Sequence, residues 1–165
     1  TVHCRLRSQG NKGDADWSWV KRIKDSGVKM PIVLNGNIKT PEDVRFVFEN
    51  YEPDAVMIGQ AAISNPWIFR QSKYFLEKGV HEEEPQVSER VDVCIEHLRL
   101  SVERKGEIYG VKEFRKHYSG YLRGLRDVSK FRLELMQFND FEPLAERLRR
   151  FKEEYKEISE VQNTI

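Results

Sequence analysis

Apolar residues in the first half of the chain come in short continuous runs. The runs lie in TVH (1–3), PIVLNG (31–36) and DAVMIG (54–59), and none alternates with polar residues. Such runs are typical of parallel strands that are buried on both faces. The segments between them, 15–26 and 40–51, have apolar residues at helical spacing. This order predicts an α/β fold, and its period is close to that of a (β/α)8 barrel, of which about three strands would be present.

The second of these helices has a clear start signal. Thr40 suits the N-cap, Pro41 the first helical position, and the acids Glu42 and Asp43 the first turn. We therefore predict a helix that begins at Pro41.

A polar segment, GVHEEEPQ (79–86), separates this α/β region from a part that is helical throughout. Apolar residues in that part form three stripes at helical spacing. The stripes are Val91, Cys94, Leu98 and Val102; Val111, Phe114, Tyr118, Tyr121, Leu122 and Leu125; and Leu144, Leu148, Phe151, Tyr155 and Ile158. We predict a partial barrel over 1–80 followed by a helical bundle over 86–160.

The composition fits a soluble globular protein. The chain has 165 residues, of which 33% are charged and 11% aromatic. No apolar run reaches the roughly 18–20 residues that a membrane span needs. Cys4 and Cys94 match no zinc or redox spacing, so we expect reduced thiols in a cytoplasmic protein and no metal site. The chain begins without Met inside a strand-like run, which favours a piece of a longer protein.

Positive charge is concentrated in one part of the chain. The formal net charge is +1, yet residues 99–132 carry ten Lys and Arg against four acids. On one helix, the basic side chains of this block would form a single stripe with Ser119 in its gap. The members of that stripe are Lys112, Lys116, Arg123 and Arg126. Contact with a polyanion and an ordinary solvated helix surface are both open interpretations.

Glycine-bearing turns follow two of the predicted strands. They are NGN (35–37) and IGQAA (58–62), and ligands of parallel α/β folds bind at this end of the strands. Glycine lets the backbone approach an anion closely, so the turns favour a phosphate site, although tight turning alone would also explain them. His3 ends the first strand and faces the same mouth, as would Arg5 and Arg7 if the backbone stays extended. Cys4 would point to the opposite face from His3, which argues against a Cys–His pair.

Four blocks in order resemble the tRNA-dihydrouridine synthases. They are TVHCRLRSQGNKGDADW (1–17), PIVLNGNIKTPED (31–43), DAVMIGQAAISNPWIF (54–69) and RKHYSGYLRGL (115–125), and the likeness extends over about 1–155. The resemblance implies the end of an FMN-binding TIM barrel followed by a helical tRNA-binding domain. It further implies an enzyme that reduces uridine in tRNA to dihydrouridine with FMN and NADPH.

The resemblance also implies roles for individual residues. His3 matches a flavin contact, Arg5 a residue near flavin or substrate, and the two glycine turns the FMN phosphate site. The turn residues are Asn35, Gly36, Asn37, Gly59 and Gln60. The sequence departs from the family at three positions, where Gly, Asp and Arg are usual: Cys4, Asn37 and Gln60 respectively. The Arg absent at Gln60 would have supplied a charge-assisted contact to phosphate.

The family's catalytic cysteine and its flavin-contacting lysine belong to an earlier part of the barrel, so no catalytic residue is assigned here. We expect the chain alone to be inactive. We also expect residues 1–80 to be stable only with a partner, which would be the missing barrel half, a second copy or a swapped chain. Two other functions stay open: another FMN- or phosphate-binding TIM-barrel enzyme, and a non-catalytic RNA-binding module. A bound yellow flavin would distinguish the FMN enzymes from the rest.

Overall fold

The computed structural model describes residues 1–10, 12–126 and 128–162, with 157–162 described by their backbone. The chain forms two compact units, Thr1–Glu83 and Glu84–Ile165. The division falls inside the polar segment 79–86.

A parallel sheet of order β1-β2-β3 forms the centre of the first unit among the described residues. Its strands are β1 (Val2–His3), β2 (Val33–Asn35) and β3 (Ala55–Met57). The three predicted strands are therefore confirmed, with helices between them. Leu34 of β2 is fully buried between these elements, as expected for a central parallel strand.

The helices of the first unit are α1 (Ser18–Asp25), α2 (Pro41–Tyr51), α3 (Gln60–Ser64) and α4 (Ile68–Lys78). The predicted start of α2 is confirmed. The Asp43 amide donates to Thr40 Oγ1 at 3.2 Å, and the Thr40 amide donates to Asp43 Oδ2 at 3.0 Å. This reciprocal pair satisfies two amides that the first turn leaves without helical partners.

The second unit is helical. It contains α5 (Val87–Lys105), α6 (Glu107–Phe114), α7 (Tyr118–Tyr121), α8 (Val128–Leu135) and α9 (Phe141–Gln162), with a 3-10 turn at Arg115–His117. The long helix α5 packs against α6, α7 and α9. The predicted stripes supply most of the buried side chains, whereas Val102, Leu125 and Tyr155 are half-buried. The side chain of Ile158 lies outside the described residues.

The break of the helix within 112–126 and the contacts that fix the end of α7 were not predicted. The basic stripe assumed one helix through 112–126, and this is wrong: the 3-10 turn interrupts it and α7 ends at Tyr121. Gly124 then adopts a φ of +72°, in the left-handed region that favours glycine. The buried Arg90 guanidinium stabilises this end by donating to the carbonyl oxygens of Tyr121 at 2.8 Å and Arg123 at 2.5 Å.

Helix α6 packs closely against the backbone of α5 at Gly110. A Cβ atom there would lie 2.6 Å from Val102 Cα and 2.8 Å from Val102 N. The Gly110 carbonyl also accepts a hydrogen bond of 3.0 Å from Ser101 Oγ.

Among the described residues, no helix combines the length and apolarity that crossing a bilayer requires.

Candidate functional site

The carboxyl ends of the three strands lie side by side. His3 pairs in register with Asn35, and Asn35 with Met57. The Asn35 side-chain amide donates to the Met57 carbonyl oxygen at 3.0 Å, which joins the ends of β2 and β3. Turns that follow these strands must therefore open at one edge of the sheet.

A cavity of about 170 Å³ lies at this edge, and we call it the glycine-turn pocket. All seven residues that the sequence proposed for cofactor binding line it. They are His3, Arg5, Asn35, Gly36, Asn37, Gly59 and Gln60. The prediction that both glycine turns share one mouth is thus confirmed. Arg7 is different, because the backbone turns into a 3-10 helix at Arg7–Gln9 and Arg7 does not line the pocket.

The first turn has a strained backbone that neighbouring groups hold in place. Gly36 has a φ of +120° and Asn37 a φ of +58°. A Cβ on Gly36 would come within 3.2 Å of Ala15 Cβ and 3.5 Å of His3 Nδ1, so the position has little room for a side chain. The indole Nε1 of Trp17 donates to the Gly36 carbonyl oxygen at 2.7 Å and fixes its direction.

Arg5 ties the loop after β1 to the first glycine turn. Its guanidinium donates to the carbonyl oxygens of Gly10 at 3.1 Å and Gly13 at 2.7 Å, and to Asn37 Oδ1. The Asn37 amide in turn donates to Asp14 Oδ1 at 3.2 Å. All three acceptors of Arg5 are neutral, so its positive charge is not neutralised by them. Its Nε is buried without a hydrogen-bond partner in the described part of the chain.

The pocket is suited to an anion. Its ionisable lining residues are His3, Arg5 and Lys39, and no described lining residue is acidic. Lys39 was missed from the sequence, although its position two residues after the NGN turn was an available signal. Around Gly59 the protein leaves open space, since a Cβ there would meet no atom within 4 Å.

Neither cysteine has the environment of a nucleophile. Cys4, which directly follows β1, is buried, whereas the adjacent His3 is exposed. Burial raises the pKa of the Cys4 thiol and, more strongly, that of Cys94. Both cysteines are free. Among the described residues, no group of three or more His, Cys, Asp or Glu is arranged to hold a metal ion.

The four basic residues proposed for RNA binding do not lie on one helix. Lys112 is on α6 and Lys116 in the 3-10 turn, and both are exposed. Arg123 lies in the turn after α7, where its Nη2 contacts both carboxylate oxygens of Glu84 at 2.9 and 3.0 Å. Arg126 is in the following turn. The structure thus separates Lys112 and Lys116 from the two arginines by the end of α7.

Comparisons with known proteins agree on one family. The sequence profile of dihydrouridine synthases matches residues 1–157. The chain is 39% identical over 146 residues to tRNA-dihydrouridine synthase B of Shewanella oneidensis, which covers 88% of the chain and 44% of that protein. It is 34% identical over 145 residues to a probable tRNA-dihydrouridine synthase of Rickettsia bellii, covering 88% and 44% respectively. With tRNA-dihydrouridine synthase B of Pseudomonas putida it shares 32% over 162 residues, covering 98% and 48%. The chain therefore spans slightly less than half the length of these relatives.

Proposed function

Because the chain belongs to the dihydrouridine synthase family, we propose that the protein it is part of reduces uridine in tRNA to 5,6-dihydrouridine, with FMN as cofactor and NADPH as reductant. In this proposal the first unit is the end of an FMN-binding (β/α)8 barrel, and the helical unit binds tRNA. The relatives' names support the reaction and its tRNA substrate.

The observation that carries the proposal is the glycine-turn pocket. Two glycine turns and an unneutralised guanidinium meet at the carboxyl ends of parallel strands, which is where barrel enzymes bind phosphate. Complete small-molecule sites measure roughly 300–1,000 Å³. At about 170 Å³ the pocket suits one end of a cofactor, with further walls supplied by the rest of a barrel.

The residues present fit the phosphate of FMN. The buried Arg5 Nε lacks a partner in the described chain, and the open space at Gly59 admits a ligand where the protein places no atom. We assign phosphate binding to the backbone amides of the two turns, with Arg5 and Lys39 as the cations and Gln60 as a neutral hydrogen-bonding group. His3 is assigned to the edge of the flavin ring system. Bound FMN would supply hydride transfer to the uracil ring.

The test is made on the full-length protein. After purification it should show a flavin absorption spectrum, and with NADPH it should raise the dihydrouridine content of unmodified tRNA, measured by mass spectrometry of the nucleosides. A flavin-containing protein without this activity would indicate another FMN barrel enzyme. A colourless protein that binds tRNA would indicate an RNA-binding module, and either result would contradict the proposal.

A further inference from the structure

A cavity on the helical unit brings two histidines together. It measures about 290 Å³, and we call it the histidine cavity. The rings of His97 on α5 and His117 in the 3-10 turn have centroids 4.6 Å apart. His97 Nδ1 lies 3.0 Å from the Tyr121 hydroxyl, and the Phe114 ring meets His97 edge-on at 4.9 Å. The histidines are therefore held in place by their neighbours rather than left loose on the surface.

The charges around this cavity are mostly positive. Arg104, Lys105 and Lys116 line it together with a single acid, Glu113. Lys105 forms an ion pair with Glu113. In the part of the chain that the structure describes, Arg104 and Lys116 form no ion pair. The charges of Arg104 and Lys116 are therefore available to a ligand, and protonation of either histidine would add to them.

This charge decides between two ligand classes that a histidine pair can bind. A divalent metal would be repelled by Arg104 and Lys116. The one acid of the lining, Glu113, pairs with Lys105, and the described residues form no cluster of three ligands that could hold a metal ion. An anion is attracted by the same cations. Imidazolium, guanidinium and ammonium donors all form charge-assisted hydrogen bonds to phosphate oxygens.

We propose that the histidine cavity binds a backbone phosphate of the RNA substrate. Lys116 also lines a neighbouring cavity of about 430 Å³, whose other basic residues are Arg115 and Arg132 and whose hydroxyls include Ser119 and Ser129. Two basic cavities that share one lysine suit a polymer of phosphates better than a single free ion. The inference rests on the proposed tRNA contact and names the site on the helical unit where it is made.

Binding at this site is coupled to proton uptake. Burial lowers the pKa of His97, and the neighbouring His117 and Lys116 lower it further. A bound phosphate opposes the effect of those cations and favours the protonated imidazole, so the pKa of His97 rises on binding. RNA affinity must then increase as the pH falls and decrease as the pH rises through the raised pKa. The charged and titratable groups that face the histidines are Arg104 and Lys105 on α5, Glu113 on α6, Lys116 in the 3-10 turn and the Tyr121 hydroxyl on α7.

The experiment follows the histidine C2–H signals of the 165-residue chain by NMR during pH titration. It is done alone, with inorganic phosphate and with unmodified tRNA. We expect tRNA to raise the apparent pKa of His97 by about one pH unit and to move the C2–H signal of His117. His81 pairs with Glu42 in the other unit and serves as the internal control.

Substitutions of exposed Arg104 and half-buried His117 complete the test, with tRNA affinity measured across salt and pH. Arg104→Gln should lower the affinity and reduce the salt slope by about 0.7–0.9, and His117→Gln should flatten the pH dependence. The matched control Arg99→Gln lies on the same helix, where Glu96 and Glu103 hold the guanidinium, and should change neither.

The outcomes separate this inference from the proposed function. Tight tRNA binding that leaves both histidine titrations and the Arg104→Gln affinity unchanged would overturn the site while the tRNA substrate stands. A response to inorganic phosphate without a response to tRNA would overturn the assignment to RNA. If tRNA neither binds this chain nor moves its histidine signals, the site on the helical unit is overturned, whereas the proposed function is decided by the dihydrouridine assay on the full-length protein.

Discussion

At the scale of single residues, the two glycines of the glycine-turn pocket have different reasons to be glycine. Gly36 is required by the protein itself, because its φ is +120° and Ala15 and His3 crowd the place of a side chain. Gly59 has neither constraint, since the space around it is open. We propose that the absence of a side chain at Gly59 serves a bound ligand rather than the fold.

This difference predicts opposite results for two variants of the full-length protein. Gly59→Val should change the free energy of unfolding without ligand by no more than about 0.5 kcal/mol, as for other open surface positions, while lowering FMN occupancy. Gly36→Ala should lower stability by about 1–3 kcal/mol because it forces alanine into a strained, crowded backbone. Urea unfolding of the flavin-free protein and flavin absorbance measure the two quantities. Full FMN occupancy in Gly59→Val would remove Gly59 from the site.

The sequence predicted the residues of this pocket better than their interactions. The strand ends and the glycines were visible, because buried strands and turn residues leave local patterns. The role of Arg5 in holding carbonyl oxygens of Gly10 and Gly13 was not, since it depends on how a loop folds back over eight residues. The 3-10 turn that removes Arg7 from the mouth escaped prediction for the same reason.

At the scale of helices, the contact of α5 with α6 depends on Gly110. Gly110→Ala would place Cβ at 2.6 Å from the Val102 backbone, which cannot move aside as a flexible side chain would. We expect the second unit to lose about 1–3 kcal/mol of stability, as in other overpacked cores. The measurement is urea unfolding, with Lys112→Ala as control because Lys112 is exposed on the same helix. Equal stability of the two variants would show that the helices separate at little cost.

The end of α7 illustrates what helical periodicity leaves out. The apolar stripe was correctly predicted because burial follows the period of the helix even through a 3-10 turn. The prediction of a single basic stripe was wrong because exposed side chains are not held on one face by burial once the helix ends. Arg90 and the left-handed Gly124 fix that end through contacts distant in sequence.

The broken stripe predicts unequal effects of two basic residues on tRNA binding. Lys116 forms no ion pair in the described residues, whereas Arg123 is held by Glu84. In the full-length protein, Lys116→Ala should weaken binding to all tRNAs alike and reduce the salt slope by about 0.7–0.9. Arg123→Ala should have a smaller effect, because Arg123 must first leave its carboxylate. Affinity measured over a salt series tests this, and equal losses would show that the Glu84 pair opens freely.

At the scale of the whole molecule, the two units differ in how completely they bury their large apolar side chains. In the described residues the sheet has two unpaired edges, at β1 and β3. Large apolar side chains of the first unit are exposed, among them Met30, Met57 and Phe69. The second unit buries Phe114, Tyr118 and Leu148 almost completely between its helices.

We therefore expect hydrogen exchange of the isolated chain to be faster in the sheet region 1–80 than in helices 87–156. Unpaired strand edges and exposed apolar surface lower the free energy of local opening in the first unit. Mass spectrometry of the exchanged peptides measures both regions in one sample. Addition of the remaining barrel segment should slow exchange in 1–80 and leave the helices unchanged. Strong protection throughout 1–80 in a proven monomer would contradict this expectation.

The two buried thiols lie one in each unit, Cys4 beneath the sheet edge and Cys94 inside the helices. A thiol reacts with an alkylating reagent as the exposed thiolate, so neither is modified while its own unit stays closed. Modification of each cysteine therefore reports the opening of the unit that contains it. Alkylation in rising urea would time the two openings separately in unlabelled, unmutated protein, with Cys4 modified before Cys94.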